Sequence, residues 1–328
     1  MGGCTNRQAV DLAGRVTVSG LARMAARVLC VIALSTPAAA QVRASYLYSL
    51  SNFDGMLPYS WGRLYADPAR DETYFVTDRL VRIFNATGME MFAFGDDLEI
   101  GQIMDLAVDD AGGIVLLSFK DGRHLVTRCN FRGEPTATLE VTGLPDGVSF
   151  SPNRMVLRGN RFYFASTSSG VVLVTDRTGA VQEHIALLSM LEEADRKPGT
   201  GEVELFGFTV DAEGNIYFTI PVMFKAFKLT AQRELQSFGR PGSAAGRFGV
   251  VAGIATDSRG NILVADRLRC VVMAFDRRFN FLAEFGYRGG SPQNLVVPDD
   301  LAVDRRDRVY VTQGRRRGVS VFALAGEP

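Results

Sequence analysis

Arginine is the residue type whose placement in this sequence most invites a chemical reading. Arg79, Arg123, Arg267, Arg269 and the run Arg315-Arg316-Arg317 stand in short polar stretches between apolar segments. A guanidinium is a planar fork that pairs with two oxygens of one carboxylate or phosphate. Grouped arginines of this kind make a docking face for an anionic partner. Tyr59 and the single tryptophan, Trp61, sit together ahead of one apolar segment, where their rings could stack on a ligand. A second set supplies hard oxygen donors. Asp54, Asp105, Glu204 and Asp300 lie in connecting positions and would suit Ca²⁺ if they converged, although their spacing follows no recognised motif.

Other residues argue against familiar chemistries. Of the two histidines, His124 follows Gly122-Arg123 in a polar stretch and His184 lies inside an alternating apolar–polar run. Neither has a cysteine or second histidine beside it, so both read as structural or surface residues. Ser166 to Ser169 lack the G-x-S-x-G elbow of a hydrolase. No C-x-x-C occurs, so zinc knuckles and c-type haem are not indicated, and no resident cofactor is expected. Lys and Arg (36) balance Asp and Glu (36). Global charge therefore predicts neither a nucleic-acid nor a membrane-surface partner, and no basic–aromatic ladder for stacked bases is visible.

The elements that position these residues come from a repeated phrase. Leu106-Ala107-Val108-Asp109, Phe208-Thr209-Val210-Asp211, Ile254-Ala255-Thr256-Asp257 and Leu301-Ala302-Val303-Asp304 each run into a Gly/Asn/Asp turn and then a β-rich segment. Weaker copies stand at Leu64-Tyr65-Ala66-Asp67 and Met155-Val156-Leu157-Arg158. Each is a hairpin. A third and a fourth strand follow, the fourth often closing in Phe-Gly, as at Phe94-Gly95, Phe238-Gly239 and Phe285-Gly286. A repeat of about 40–54 residues with four strands is a propeller blade. Six such units predict an all-β, six-bladed β-propeller with four antiparallel strands per blade. The last unit supplies only three strands, ending near Leu324. The strand-like segment Val42–Leu50 is predicted to complete it, closing the ring and removing a free edge.

With those residues in view, the chain resembles NHL-repeat β-propellers. Gly253-Ile254-Ala255-Thr256-Asp257-Ser258-Arg259-Gly260-Asn261-Ile262-Leu263-Val264-Ala265-Asp266 carries the family phrase most fully. One departure stands out, since Arg267-Leu268-Arg269 follows Asp266 where the family has Asn-x-Arg. The resemblance implies a ligand face formed by the links between blades and the links joining strands two and three. The arginines above fall there, as do Tyr59 and Trp61. Asp67, Asp109, Asp211, Asp257 and Asp304 fall on the opposite side, as turn caps. Cys129 and Cys270 fall in blades two and five, too far apart for a disulfide.

The N-terminus reads separately. Basic Arg23 and Arg27, which bracket Met24 as an alternative start, the apolar run Val28–Leu34 and Ala38-Ala39-Ala40 read as a secretory signal peptide cut near Ala40. Residues 1–40 are thus leader and 41–328 the propeller, with no integral membrane span. The RNA-binding role of some tripartite-motif NHL propellers does not fit an exported chain. The leading expectation is an exported binding or scaffold propeller for a protein, peptide or anionic envelope polymer. A Ca²⁺-dependent lactonase- or lyase-like enzyme is the alternative. Docking to an exported electron-transfer protein is a second alternative.

Overall fold

A computed structural model describes residues 42–77, 80–95, 100–191, 203–314 and 317–326. The leader, Arg79, Arg315 and Arg316 lie outside the described residues. The chain folds as six four-stranded antiparallel sheets, the blades of a propeller. Blade one spans Gly62 to Phe94, blade two Gln102 to Thr138, blade three Arg154 to Ala186, blade four Phe208 to Phe238 and blade five Val251 to Phe285. Blade six takes three strands from Pro298 to Gly326 and its outer strand from Val42–Ser49.

The closure forms as expected from sequence, with the N-terminal strand completing the last blade. Tyr46 pairs with Phe322, Ala44 with Leu324 and Ser49 with Ser320. A bulge between Tyr46 and Tyr48 leaves Leu47 outside the regular ladder. The second strand of each blade is apolar on both faces because it lies between neighbours within and across blades. Thr73–Thr77, Ile216–Ile220 and Ile262–Asp266 are buried along their whole length. Aromatic pairs such as Phe218–Phe227 (4.9 Å, stacked) and Phe285–Phe322 (4.9 Å) fill the wedges.

The repeated aspartates act as expected. The Asp211 Oδ1 accepts the N–H groups of Glu213 and Asn215, both at 2.9 Å. Asp257 accepts from Arg259 and Asn261, and Asp304 from Arg306 and Arg308, in the same way. Blade three has Arg158 at this position, and its Nε instead donates to the Val210 carbonyl of blade four at 2.6 Å. Cys129 and Cys270 are buried and form no disulfide. Among the described residues no helix is long and apolar enough to cross a membrane.

Candidate functional site

The first strand of every blade lines the central channel, so the residue at one register position forms a ring. Four residues before the turn aspartate, or before Arg158 in blade three, that position reads Arg63, Asp105, Arg154, Gly207, Gly253 and Asp300 in blade order. Both glycines are demanded by packing. A Cβ on Gly207 would stand 2.5 Å from the Ala252 carbonyl oxygen, and one on Gly253 would stand 2.7 Å from that of Asp299. The first strands of blades four, five and six therefore close on one another backbone to backbone, and the four charged side chains occupy what remains.

Their bonds are specific. Arg154 Nη2 donates to Asp300 Oδ1 at 3.0 Å. Blades three and six are opposite, so this ion pair crosses the channel. The other Asp300 oxygen accepts the Leu64 N–H of blade one at 3.0 Å. Asp105 repeats the pattern one pair of blades along. It accepts the Met155 N–H of blade three at 2.8 Å and its neighbour Leu106 N–H at 2.9 Å. Each carboxylate thus ties its own blade to the next. Below the ring, toward the turn face, a cavity of about 90 Å³ is lined by Leu64, Met155, Arg158, Thr209, Thr256 and Val303, among others, with room for a few waters.

Arg63 is the exception. It is 8 % exposed, and its Nε and Nη1 are enclosed with no acceptor among the described residues. Its guanidinium lies 5.0 Å from the Trp61 ring and 6.0 Å from Phe206, which arrives from blade four across the channel. Phe206 also carries Arg267 at 4.0 Å, and Arg267 is ion-paired with Asp299. Trp61, Arg63, Phe206, Arg267 and Asp299 therefore meet at the mouth, contributed by blades one, four, five and six.

Burial governs the electrostatics. Desolvation, reinforced by nearby Arg154, pushes the Arg63 pKa down to about 10, against the pull of Asp300, Asp105 and Asp299. A guanidinium in fact keeps its proton in a protein, so the shift reflects the burial of its charge beside Arg154. Desolvation raises the Asp105 carboxyl despite Arg154, the Met155 N–H and Arg63. For Asp300 desolvation acts the same way, but Arg154, Arg63 and the Leu64 N–H outweigh it and the net shift is downward.

The residues singled out from sequence separate into groups. Arg267, Trp61, Asp105 and Asp300 come together around the channel mouth. Tyr59 sits beneath it, where its hydroxyl lies 2.8 Å from both the Gln313 and Gly318 carbonyls and accepts the Gln313 N–H. Tyr59 thus clamps blade one to blade six. Arg269 is held inside blade five by Glu284, the Arg247 carbonyl and the Met273 sulfur. Arg317 donates to the Ser291 carbonyl at 3.2 Å. Arg123 is exposed at a hairpin whose turn is only Asp121-Gly122, tighter than the loop expected there. Asp54 is exposed on the small Ser51–Met56 hairpin and Glu204 is exposed ahead of blade four. His124 is half-buried against Phe119 at 5.0 Å, and His184 is exposed on an outer strand. Sequence reading missed Arg63, Arg154 and Phe206. The register of the repeat was the signal that could have found the first two.

The donor set does not fit a calcium ion. The carboxylate oxygens of Asp105 and Asp300 already accept from backbone N–H groups and from Arg154, and two guanidiniums stand where a cation would. Asp54 and Glu204 are not part of the ring. Among the described residues no three His, Cys, Asp or Glu side chains group for a metal.

Fold and mouth together define a six-bladed propeller whose channel is plugged by ion pairs and topped by an aromatic–arginine cluster. It is similar to a streptogramin B lyase at 13 % identity over 87 % of this chain and 98 % of that one, TM-score 0.59. It is similar to a gluconolactonase from Xanthomonas campestris at 14 % identity, over 88 % and 92 %, TM-score 0.56. It is similar to a calcium-binding protein, regucalcin, from Agrobacterium tumefaciens str. C58 at 15 % identity, over 86 % and 98 %, TM-score 0.57. At these identities the likeness concerns the fold. No protein-family model and no curated protein sequence matches the chain, so the expected NHL assignment is supported only as far as the propeller itself.

Proposed function

We propose that the protein acts on a small organic molecule at the channel mouth, as a metal-independent relative in mechanism of the lactonase and lyase propellers. The observation that carries this reading is the convergence of Trp61 and Arg63 of blade one, Phe206 of blade four and Arg267 of blade five at the channel mouth. Lyase and gluconolactonase structures among its fold neighbours favour this class over a loop-face scaffold. Aromatic faces would hold the ligand's apolar part. The fixed charge of Arg63 would hold the ligand's anionic oxygens at the mouth, and losing a preorganised donor of this kind costs about 10²–10³ in kcat. The leader-like N-terminus supports placing this activity outside the cytoplasm.

Trp61 is the sole tryptophan, so intrinsic fluorescence reports the mouth alone. Titrating a panel of lactones and cyclic esters should give a saturable Trp61 signal. Product formation should be unaffected by EDTA and reduced about 10²–10³-fold in Arg63→Met. EDTA-sensitive turnover, or a panel that leaves Trp61 unchanged, would sink the reading. A binding role without turnover is favoured by one observation: neither histidine lies at the mouth. Saturable fluorescence with no product would assign it.

A further inference from the structure

We infer that Arg63 anchors a carboxylate-binding subsite, so that the molecule taken at the mouth carries a free monoanionic carboxylate beside an apolar or aromatic body. This deepens the reading above and rests on it. Every other charge at the mouth is answered within the protein. Arg154 has Asp300, Arg267 has Asp299, and Asp105 has the N–H groups of Met155 and Leu106. Among the described residues the Arg63 Nε and Nη1 have no acceptor, although both are enclosed. A buried donor without an acceptor is a standing penalty, and the fold imposes it at the one place where two aromatic faces from opposite blades converge.

The geometry selects the anion. A guanidinium whose Nε and Nη1 lack an acceptor keeps its planar fork unused, the complement of a planar carboxylate. Asp105, Asp299 and Asp300 all act on Arg63 from nearby. Every negative charge brought to Arg63 is opposed by those three carboxylates, so a phosphate dianion is penalised more than a carboxylate monoanion. The hydrocarbon part then lies against Trp61 and Phe206. The carboxylate has two sources with the same chemistry, a free organic acid or the C-terminus of a short peptide.

The test uses the full chain, with Trp61 fluorescence and thermal shift as readouts. The probes are phenylacetate, its neutral isostere phenylacetamide, phenyl phosphate, and Gly-Gly-Phe with free or amidated C-terminus. Phenylacetate should bind at least about tenfold more tightly than phenylacetamide or phenyl phosphate, as expected of a charge-assisted pair. A free-terminus peptide binding like phenylacetate, and an amidated one not, assigns the peptide source. Binding of phenylacetate alone assigns the free acid. Arg63→Met should abolish the carboxylate response and raise the melting temperature, and Arg63→Lys should retain a weakened response. Equal binding of phenylacetate and phenylacetamide, carboxylate binding that survives Arg63→Met, or a lower melting temperature in Arg63→Met overturns the inference. A neutral lactone that perturbs Trp61 while all carboxylates fail overturns the inference and leaves the mouth reading standing. Silence from every probe removes both.

Discussion

A buried guanidinium stabilises a fold only when an acceptor answers it, and the channel holds one of each kind. Arg154 and Asp300 are both nearly inaccessible and bonded to each other, so removing one member strands the other. Arg154→Met should cost about 3–5 kcal/mol of unfolding free energy. Arg63 leaves no described hydrogen-bond partner stranded at Nε or Nη1, and Asp105 and Asp300 each keep Arg154 when Arg63 is removed. Arg63→Met, which keeps the volume and drops the charge, should stabilise by about 1–3 kcal/mol. Urea unfolding of both variants checks the pair, and a destabilised Arg63→Met would show that Arg63 has an acceptor after all. The same contrast has a pH signature. Asp300 titrates below the ordinary carboxylate range. Its contribution is complete above the unfolded value near ~4 and is lost as pH falls through the lower folded value. Asp105 is shifted upward by burial, so its contribution is present below that unfolded value and disappears as pH rises through the folded one. Arg154 is the largest opposing influence on Asp300. The acid limb of the urea midpoint below pH ~4 should therefore be shallower in Arg154→Met than in the wild type. Parallel limbs would separate Asp300 from the acid sensitivity of the fold.

At the scale of the strand, the inner edge of each blade is one repeated register in which a single position decides whether the channel is filled or pinched. Gly253 is where blade six presses closest, with the Asp300 Cα 2.9 Å from the position of a Cβ. Since both neighbours there are backbone, neither can yield by a rotamer change. Gly253→Ala should destabilise by about 1–3 kcal/mol through overpacking, whereas Gly147→Ala, which meets nothing within 4 Å but has φ +76°, tests backbone strain without a clash. A smaller loss at Gly253 than at Gly147 would show that the inner strands of blades five and six can separate freely. The strand scale is also where sequence reasoning was strongest and then failed. Turn aspartates, hairpins and the Val42–Leu50 closure follow from alternation and turn chemistry, which are local. Asp105 and Asp300 stood out because carboxylates in links invite a metal reading. Arg63 and Arg154 sit at the same register but read as ordinary strand residues, because nothing local says that opposite blades bring them within 3.0 Å of a carboxylate or leave them with none. Phe206 was invisible for the same reason. Its partner Arg267 lies 61 positions away and its other partner Arg63 lies 143 away. Arg269 illustrates the converse, an arginine whose loop position suggested a ligand and whose bonds to Glu284 and Arg247 turn it inward.

For the whole molecule, the ring is only as strong as its seam. Five blades are built from consecutive strands, and blade six alone joins segments from the two ends of the propeller. Seven residues of Val42–Ser49 pair along Ser320–Gly326. Blade six is further tied to blade one by Tyr59 on Gln313 and by Asp300 on Leu64. The proposed cut after Ala40 would leave one residue ahead of this strand, so export processing there would act next to the ring closure. N-terminal sequencing of the exported protein should read Gln41 first. Deleting residues 42–50 should expose the apolar edge of Val319–Phe322, an unprotected β-strand that seeks another chain. The expected outcome by size-exclusion chromatography is loss of the monomer peak to soluble oligomers or aggregate, with a melting transition lowered or absent. Adding a synthetic peptide of residues 42–50 should restore part of the monomer, because the missing strand contributes through its ladder rather than through its connection. A truncated chain that remains monomeric with an unchanged transition would mean that the channel network, with its Arg154–Asp300 pair across the ring, holds the six blades together without the outer seam.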